Sequence, residues 1–480
     1  MLFAFWLMAA AAMPAAGLAA PAGGDTWTTQ RDVLGLLHPR RDSQIDSSDE
    51  RHTAYVTAAG DKWTVVVDGQ PGQPHDDILT DSLSFSRDGQ RIAYLTQEGD
   101  QQRAWIDGKP GEAYNEIGLN TRVVFSPDSR RIGYFARRGN AWIAVIDGRE
   151  IGRHEQVGLQ SMLFSPDSSR TADAARDKGS WCAVIDGQPE PGHEGVDLSG
   201  AFFSPSGKRM AYGTRTGDQW WMRLDGRSSG PYDGLGSEMM RFSRDSLRTA
   251  FAAERDGKWM AVIDGAEHPA FDSLTEGSLR FSPDGRRVAY AASHERQRLF
   301  MVDGRELARF DGIATFSTRF SPDSKRVACI ARKGKQWGVA IDGAVDAWFD
   351  GIGDGSVVFS PDSARLAYVA RSGEEWHAVI DGAAGPTFPG IGTGPTFSDD
   401  SKHVAYKAIG AAKAHVIIDD FHAPGFHGIP AGRIHFDPDG GTEYLAIDGL
   451  HLVRVRHQKR GSRDDDDAPP ARGPRRGGEL

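Results

Sequence analysis

The chain has 480 residues, 58 of them glycine, with 39% hydrophobic residues, 23 Phe, 12 Trp and 10 Tyr. This apolar mass excludes a largely disordered chain, and the length alone suggests about three domains. The net charge of -10, with both signs interspersed, argues against a dedicated nucleic-acid binder, and two cysteines outside any CxxC pair argue against a disulfide scaffold or a structural zinc site.

Residues 1–22 carry no charged side chain, and the apolar run from Leu2 to Met13 is followed by small residues ending in Ala20-Pro21-Ala22. This pattern reads as a secretory signal peptide cleaved before Gly23, hence a periplasmic or extracellular protein. An uncleaved N-terminal anchor is the alternative, because the run approaches membrane-spanning length. No later segment is apolar enough to span a bilayer, and residues 23–45 read as an N-terminal extension.

A repeat dominates everything that follows. Aligning the motif F-S-P-D places Phe85, Phe125, Phe164, Phe203, Phe242, Phe281, Phe320, Phe359, Phe397 and Phe436 at spacings of 38 to 40 residues. A degenerate first copy has Asp46 in the Phe slot. An Asp follows each Phe from Phe85 to Phe397 after 22 residues, usually as Asp-Gly. Each copy reads as four short strands. The first ends at Phe, and Ser282-Pro283-Asp284-Gly285 is turn chemistry. The second alternates, as in Val288-Ala289-Tyr290. The third, such as Trp337 to Ile341, runs into the Asp-Gly pair, whose residues suit a two-residue type I′ hairpin. The fourth ends in an aromatic residue or His.

Four short strands at this period, with no helical periodicity, predict an all-β chain folded as a β-propeller. A sheet with two apolar faces buries both only when stacked in a ring. Copies 2 to 10 are complete, whereas copy 11 reaches Asp448-Gly449 after 12 residues and lacks one strand. Two incomplete ends suggest that the termini share a blade, closing a single ring of about ten four-stranded blades over 46–456; two smaller propellers in tandem are the alternative. The tail 457–480 reads as disordered.

The phrases FSPDGRRVAYAA (281–292) and FSPDSARLAYVARSGEEWHAVIDG (359–382) resemble the WD-like repeat of the TolB-type propeller family. The resemblance covers about 46–456 and implies the fold. Family members serve as protein-interaction platforms or as gating domains in front of prolyl-peptidase-like hydrolases. This chain shows neither the α/β domain that precedes the TolB blades nor a hydrolase domain, so no activity follows from the resemblance.

Residues present in nearly every copy serve the blade. Seven tryptophans (Trp63, Trp142, Trp181, Trp220, Trp259, Trp337 and Trp376) stand five residues before the hairpin Asp and are expected to pack between blades. The recurrent Arg131, Arg287 and Arg326 are expected to pair with turn aspartates. His75, His154 and His193 share a slot with Tyr114, Tyr232 and Phe271, which makes them packing residues.

Function is expected where copies break the rule. Copies 6, 7 and 8 have Arg241, Arg280 and Arg319 immediately before the Phe, an arc suited to a carboxylate or phosphate. Asp173 takes the slot of Tyr94, Tyr134, Tyr212, Tyr290 and Tyr368, where a carboxylate must find partners or shift its pKa. Cys329 takes the same slot, and Cys182 lies four copies away, too far for a mutual disulfide. Asp419, Asp420, His422 and His427 replace the usual hairpin and are weak candidates for a divalent metal. G-x-S-x-G and HExxH are absent, and no cofactor motif is present. The sequence therefore points to a secreted or periplasmic propeller that binds a cell-envelope protein or a ligand without catalysis. The alternative is a channel-site enzyme acting on an anionic small molecule or glycan.

Overall fold

The computed structural model of the chain describes residues 27–36, 45–46 and 52–459, apart from 119–122, 159–161, 199–202, 237–239, 393, 431–433, 439 and 450. The proposed signal peptide and most of the proposed tail lie outside the described residues. Among the described residues there is no helix, and the strands form eleven sheets, one for each copy of the repeat. The chain is an eleven-bladed β-propeller. The count exceeds the expected ten or so because copy 1 builds a sheet of its own, with Ile45–Asp46 paired to Thr53–Ala59, and copy 11 builds another.

Blade 7 shows the pattern. Its first strand is broken into Ser273–Leu274 and Arg280–Phe281, both antiparallel to Val288–His294. Gln297–Val302 and Arg305–Phe310 complete the sheet. The aliphatic residue three positions beyond the terminal aromatic helps open the next blade, as Gly312–Ile313 does by pairing with Val327–Lys333. Adjacent sheets converge towards the axis, so the broken first strand lines the channel. There the backbones of successive blades meet, and the Phe316 amide donates to the Glu276 carbonyl at 3.3 Å.

The recurring residues form a belt linking blade to blade. At the hairpin, Asp303 and Gly304 both have positive φ (52° and 76°), as a type I′ turn demands. The Ser282 hydroxyl donates to Asp284 Oδ1 at 2.6 Å and accepts from the Arg287 amide at 2.9 Å. Arg287 donates through Nε to its own hairpin Asp303 at 3.0 Å and to the Lys325 carbonyl of blade 8 at 2.8 Å, and its guanidinium lies over Phe320, 5.6 Å from the ring centroid. The residue after F-S-P-D is left-handed in every such turn. Where it is Ser, its hydroxyl accepts the amide of the preceding blade's Asp, or of Ser206 in blade 5, as Ser324 does from Asp284 at 3.0 Å. A glycine there, such as Gly285, meets the backbone requirement but has no hydroxyl to make the link.

Apolar clusters fill each interface. In the cluster between blades 3 and 4, Trp142 packs with Val157 and Met162. At four interfaces among the described residues the aromatic ending one blade meets the Tyr of the next edge-on, in Tyr114–Tyr134, Phe271–Tyr290, Phe349–Tyr368 and Phe426–Tyr444, with centroids 6.2 to 6.5 Å apart. His75 fills the same slot and bonds the Tyr94 hydroxyl at 3.1 Å.

The ring closes through both termini. Blade 11 consists of His435–Phe436, Thr442–Asp448, His451–Lys459 and, as its fourth strand, Trp27–Leu36 from the start of the chain. The segment 23–45 thus contains a propeller strand, and the last blade runs past residue 456 to Lys459. The Asp448-Gly449 pair here joins the second and third strands, which is why it arrives early.

Candidate functional site

Arg241, Arg280 and Arg319 occupy equivalent register positions on the channel-side strands of blades 6, 7 and 8, opposite Ala250, Ala289 and Ala328. All three side chains are partly exposed. Arg241 donates to the Met240 carbonyl at 2.8 Å. Arg319 donates to the carbonyls of Phe316 and Thr318 at 2.7 and 2.9 Å, and among the described residues no carboxylate pairs with it. Desolvation lowers its pKa from the ordinary value. A half-buried guanidinium fixed by two carbonyls keeps its other donors for an external acceptor.

Beside it is a residue that the repeat alignment exposes only when the inner loops are compared slot by slot. Phe316 stands where blades 7 and 9 have Gly277 and Gly355, both with positive φ (66° and 69°). Phe316 keeps that left-handed backbone, with φ 56°, and its side chain is 39% exposed. A non-glycine residue there costs about 1–2 kcal/mol. The phenyl ring lies against Gly277, where an added Cβ would come within 2.1 Å of it, so the bare backbone of blade 7 is what admits the ring.

Asp173 is elsewhere. It sits on the second strand of blade 4, opposite Val184, on the face shared with Ala175 and Cys182. Its side chain is 2% exposed and Oδ1 has no hydrogen-bond partner among the described residues. Burial pushes its carboxyl up to about 7. The preceding blade offers His154 in the aromatic slot, and that ring binds Asp177 at 2.6 Å. Asp173 and the arginines therefore do not form one site.

The metal candidates also separate. His422 packs against Phe388 of blade 9 at 6.2 Å, whereas His427 turns to blade 11 and accepts from the Gly449 amide at 3.0 Å. Asp420 follows Asp419, whose carboxylate is held by His403 at 2.7 Å. Among the described residues no group of three or more His, Cys, Asp or Glu side chains is arranged to hold a metal ion. Cys182 and Cys329 are both free and buried.

Fold and channel wall together define a β-propeller with an arginine at the same register position in three successive blades. No protein-family model matches the chain, and no curated protein matches its sequence. Among solved structures it is similar to TolB from Acinetobacter baumannii, at 12% identity over 68% of this chain and 80% of that one, with TM-score 0.25. It is similar to the β-propeller domain of the Trilobed protease from Pyrococcus furiosus, at 17% identity over 55% and 94%, with TM-score 0.26. A eukaryotic initiation factor matches at 13% identity over 70% and 95%, with TM-score 0.37. At these TM-scores the likenesses carry no residue role, activity or partner over to this chain. No helix among the described residues is long and apolar enough to cross a membrane.

Proposed function

We propose that the protein is a secreted or periplasmic, TolB-type propeller that holds an anionic segment of a cell-envelope partner against Arg241, Arg280 and Arg319, and that it does so without catalysis. The observation that carries this reading is Arg319, a half-buried guanidinium fixed by two backbone carbonyls and unpaired with any carboxylate among the described residues. The repeat phrases support the family assignment, and the charge-free segment at 1–22 supports export. Asp173, the buried acid in the tyrosine slot, lies in a different blade and between sheets, which favours binding over turnover.

The test is titration of the protein, without residues 1–22, with poly-glutamate, polygalacturonate and polyphosphate at low and high salt. At least one polymer should bind, and Arg241→Gln, Arg280→Gln and Arg319→Gln should each weaken it, by roughly tenfold for a charge-assisted hydrogen bond. Binding that is indifferent to all three substitutions would remove the arginine arc from consideration.

A further inference from the structure

The blade 8 inner loop shows which anionic class fits. We propose that Phe316, on the inner loop that leads to Arg319 and packed against the loop that leads to Arg280, is a stacking platform for the sugar ring of a uronate-bearing polysaccharide; this rests on the reading of the arginines as the anion site. A phenyl ring kept partly exposed on left-handed backbone, where both flanking blades use glycine, is a local departure that blade folding does not require. The ring lies on Gly277, three residues before Arg280, and the Phe316 carbonyl accepts from Arg319. The aromatic face and the guanidinium groups are thus positioned by the same two loops.

The surrounding groups favour a glycan over a polypeptide or polyphosphate. The channel-side strands are two-residue pieces broken by the loops, so they offer no continuous edge for an added peptide strand. Glu276 is exposed on the inner loop of blade 7, and Asp354 on that of blade 9. These carboxylates accept hydrogen bonds from sugar hydroxyls. Guanidinium for carboxylate, carboxylate for hydroxyl and phenyl for the ring face together match a uronic acid, and poly-glutamate and polyphosphate lack both the hydroxyls and the stacking face.

The experiment compares polygalacturonate, alginate, poly-glutamate and polyphosphate as ligands of the wild type, Phe316→Gly, Phe316→Tyr and Arg319→Gln. A uronate polymer should bind tightest. Phe316→Gly should weaken it at least tenfold while raising the melting temperature, since glycine relieves the left-handed strain, and Phe316→Tyr should retain binding. Poly-glutamate or polyphosphate binding more tightly than either uronate, in an Arg319-dependent and Phe316-independent way, would overturn the glycan platform and leave the anion site standing. Loss of every Arg319-dependent interaction would overturn both. Equal binding by Phe316→Gly and wild type would likewise sink the platform.

Discussion

A chain that starts at residue 39 rather than 23 should lose its eleventh blade. Trp27–Leu36 is the fourth strand of that blade and pairs along His451–Lys459 from Trp27↔Lys459 to Leu36↔His451. Trp27 stacks on Phe421 of blade 10 at 5.0 Å, and the Arg31 guanidinium lies 4.7 Å from the Phe426 ring centroid. Without the strand, His451–Lys459 becomes an unpaired edge, and the cover over the cluster containing Val453 and Val455 is removed. Exposing two valines and the Phe421 ring that Trp27 covered costs roughly 4–8 kcal/mol, enough to melt one blade of a repeat array whose members contact mainly their neighbours. Amide exchange should therefore accelerate over 442–459 while blades 6 and 7 stay protected, and a peptide of residues 27–36 added in trans should restore protection. Unchanged exchange in the shortened chain would show that the ring does not depend on this closure.

The architecture was legible because eleven copies repeat one solution to the same packing problem. Length counted blades instead of domains, and the Asp-Gly pairs gave the hairpins their positive φ at both places. The incomplete copy 11 pointed to a shared blade. The exact count was less legible because Ile45–Asp46 offers so little strand chemistry, yet two residues suffice when the other three strands hold the sheet. At the candidate site, the arginine arc could be read from the slot before each Phe, since register carries equivalent residues to equivalent places. Phe316 was missed for a physical reason. The loop between the two halves of the first strand varies too much to look like a repeat, and its left-handed position becomes visible only when Gly277 and Gly355 are placed opposite it. Asp173 was recognised as an anomaly, but a slot alone does not reveal whether a neighbour supplies a partner. Here the adjacent ring, His154, is committed to Asp177.

Two buried titratable groups should give this propeller opposing pH dependences that nearly cancel in the wild type. His457, at the ring closure, is 0% exposed and lies between Thr29 Oγ1 at 3.0 Å and the Tyr444 hydroxyl at 2.9 Å. Burial first, and then the Arg31 charge, lower its pKa to about 4. The unfolded chain takes up this proton near pH 6.5, so His457 removes stability as pH falls from about 6.5 to about 4, on the order of 3 kcal/mol in all. Asp173 works the other way. Its carboxyl is raised to about 7, so the folded chain retains a proton that the unfolded chain releases near pH 4, and stability is lost as pH rises from about 4 to about 7. Between those limits the slopes have opposite sign and similar size. The wild-type denaturation midpoint should therefore change little between pH 4.5 and 6.5 from these two groups. Asp173→Asn should unmask the histidine and make the protein progressively weaker on acidification. His457→Gln should unmask the aspartate, with stability falling as pH rises over the same range. The two groups sit in blades 4 and 11, far enough apart for their effects to add, so the double variant should return to the wild-type profile. Parallel pH profiles for the wild type and both single variants would show that neither group changes its protonation on unfolding.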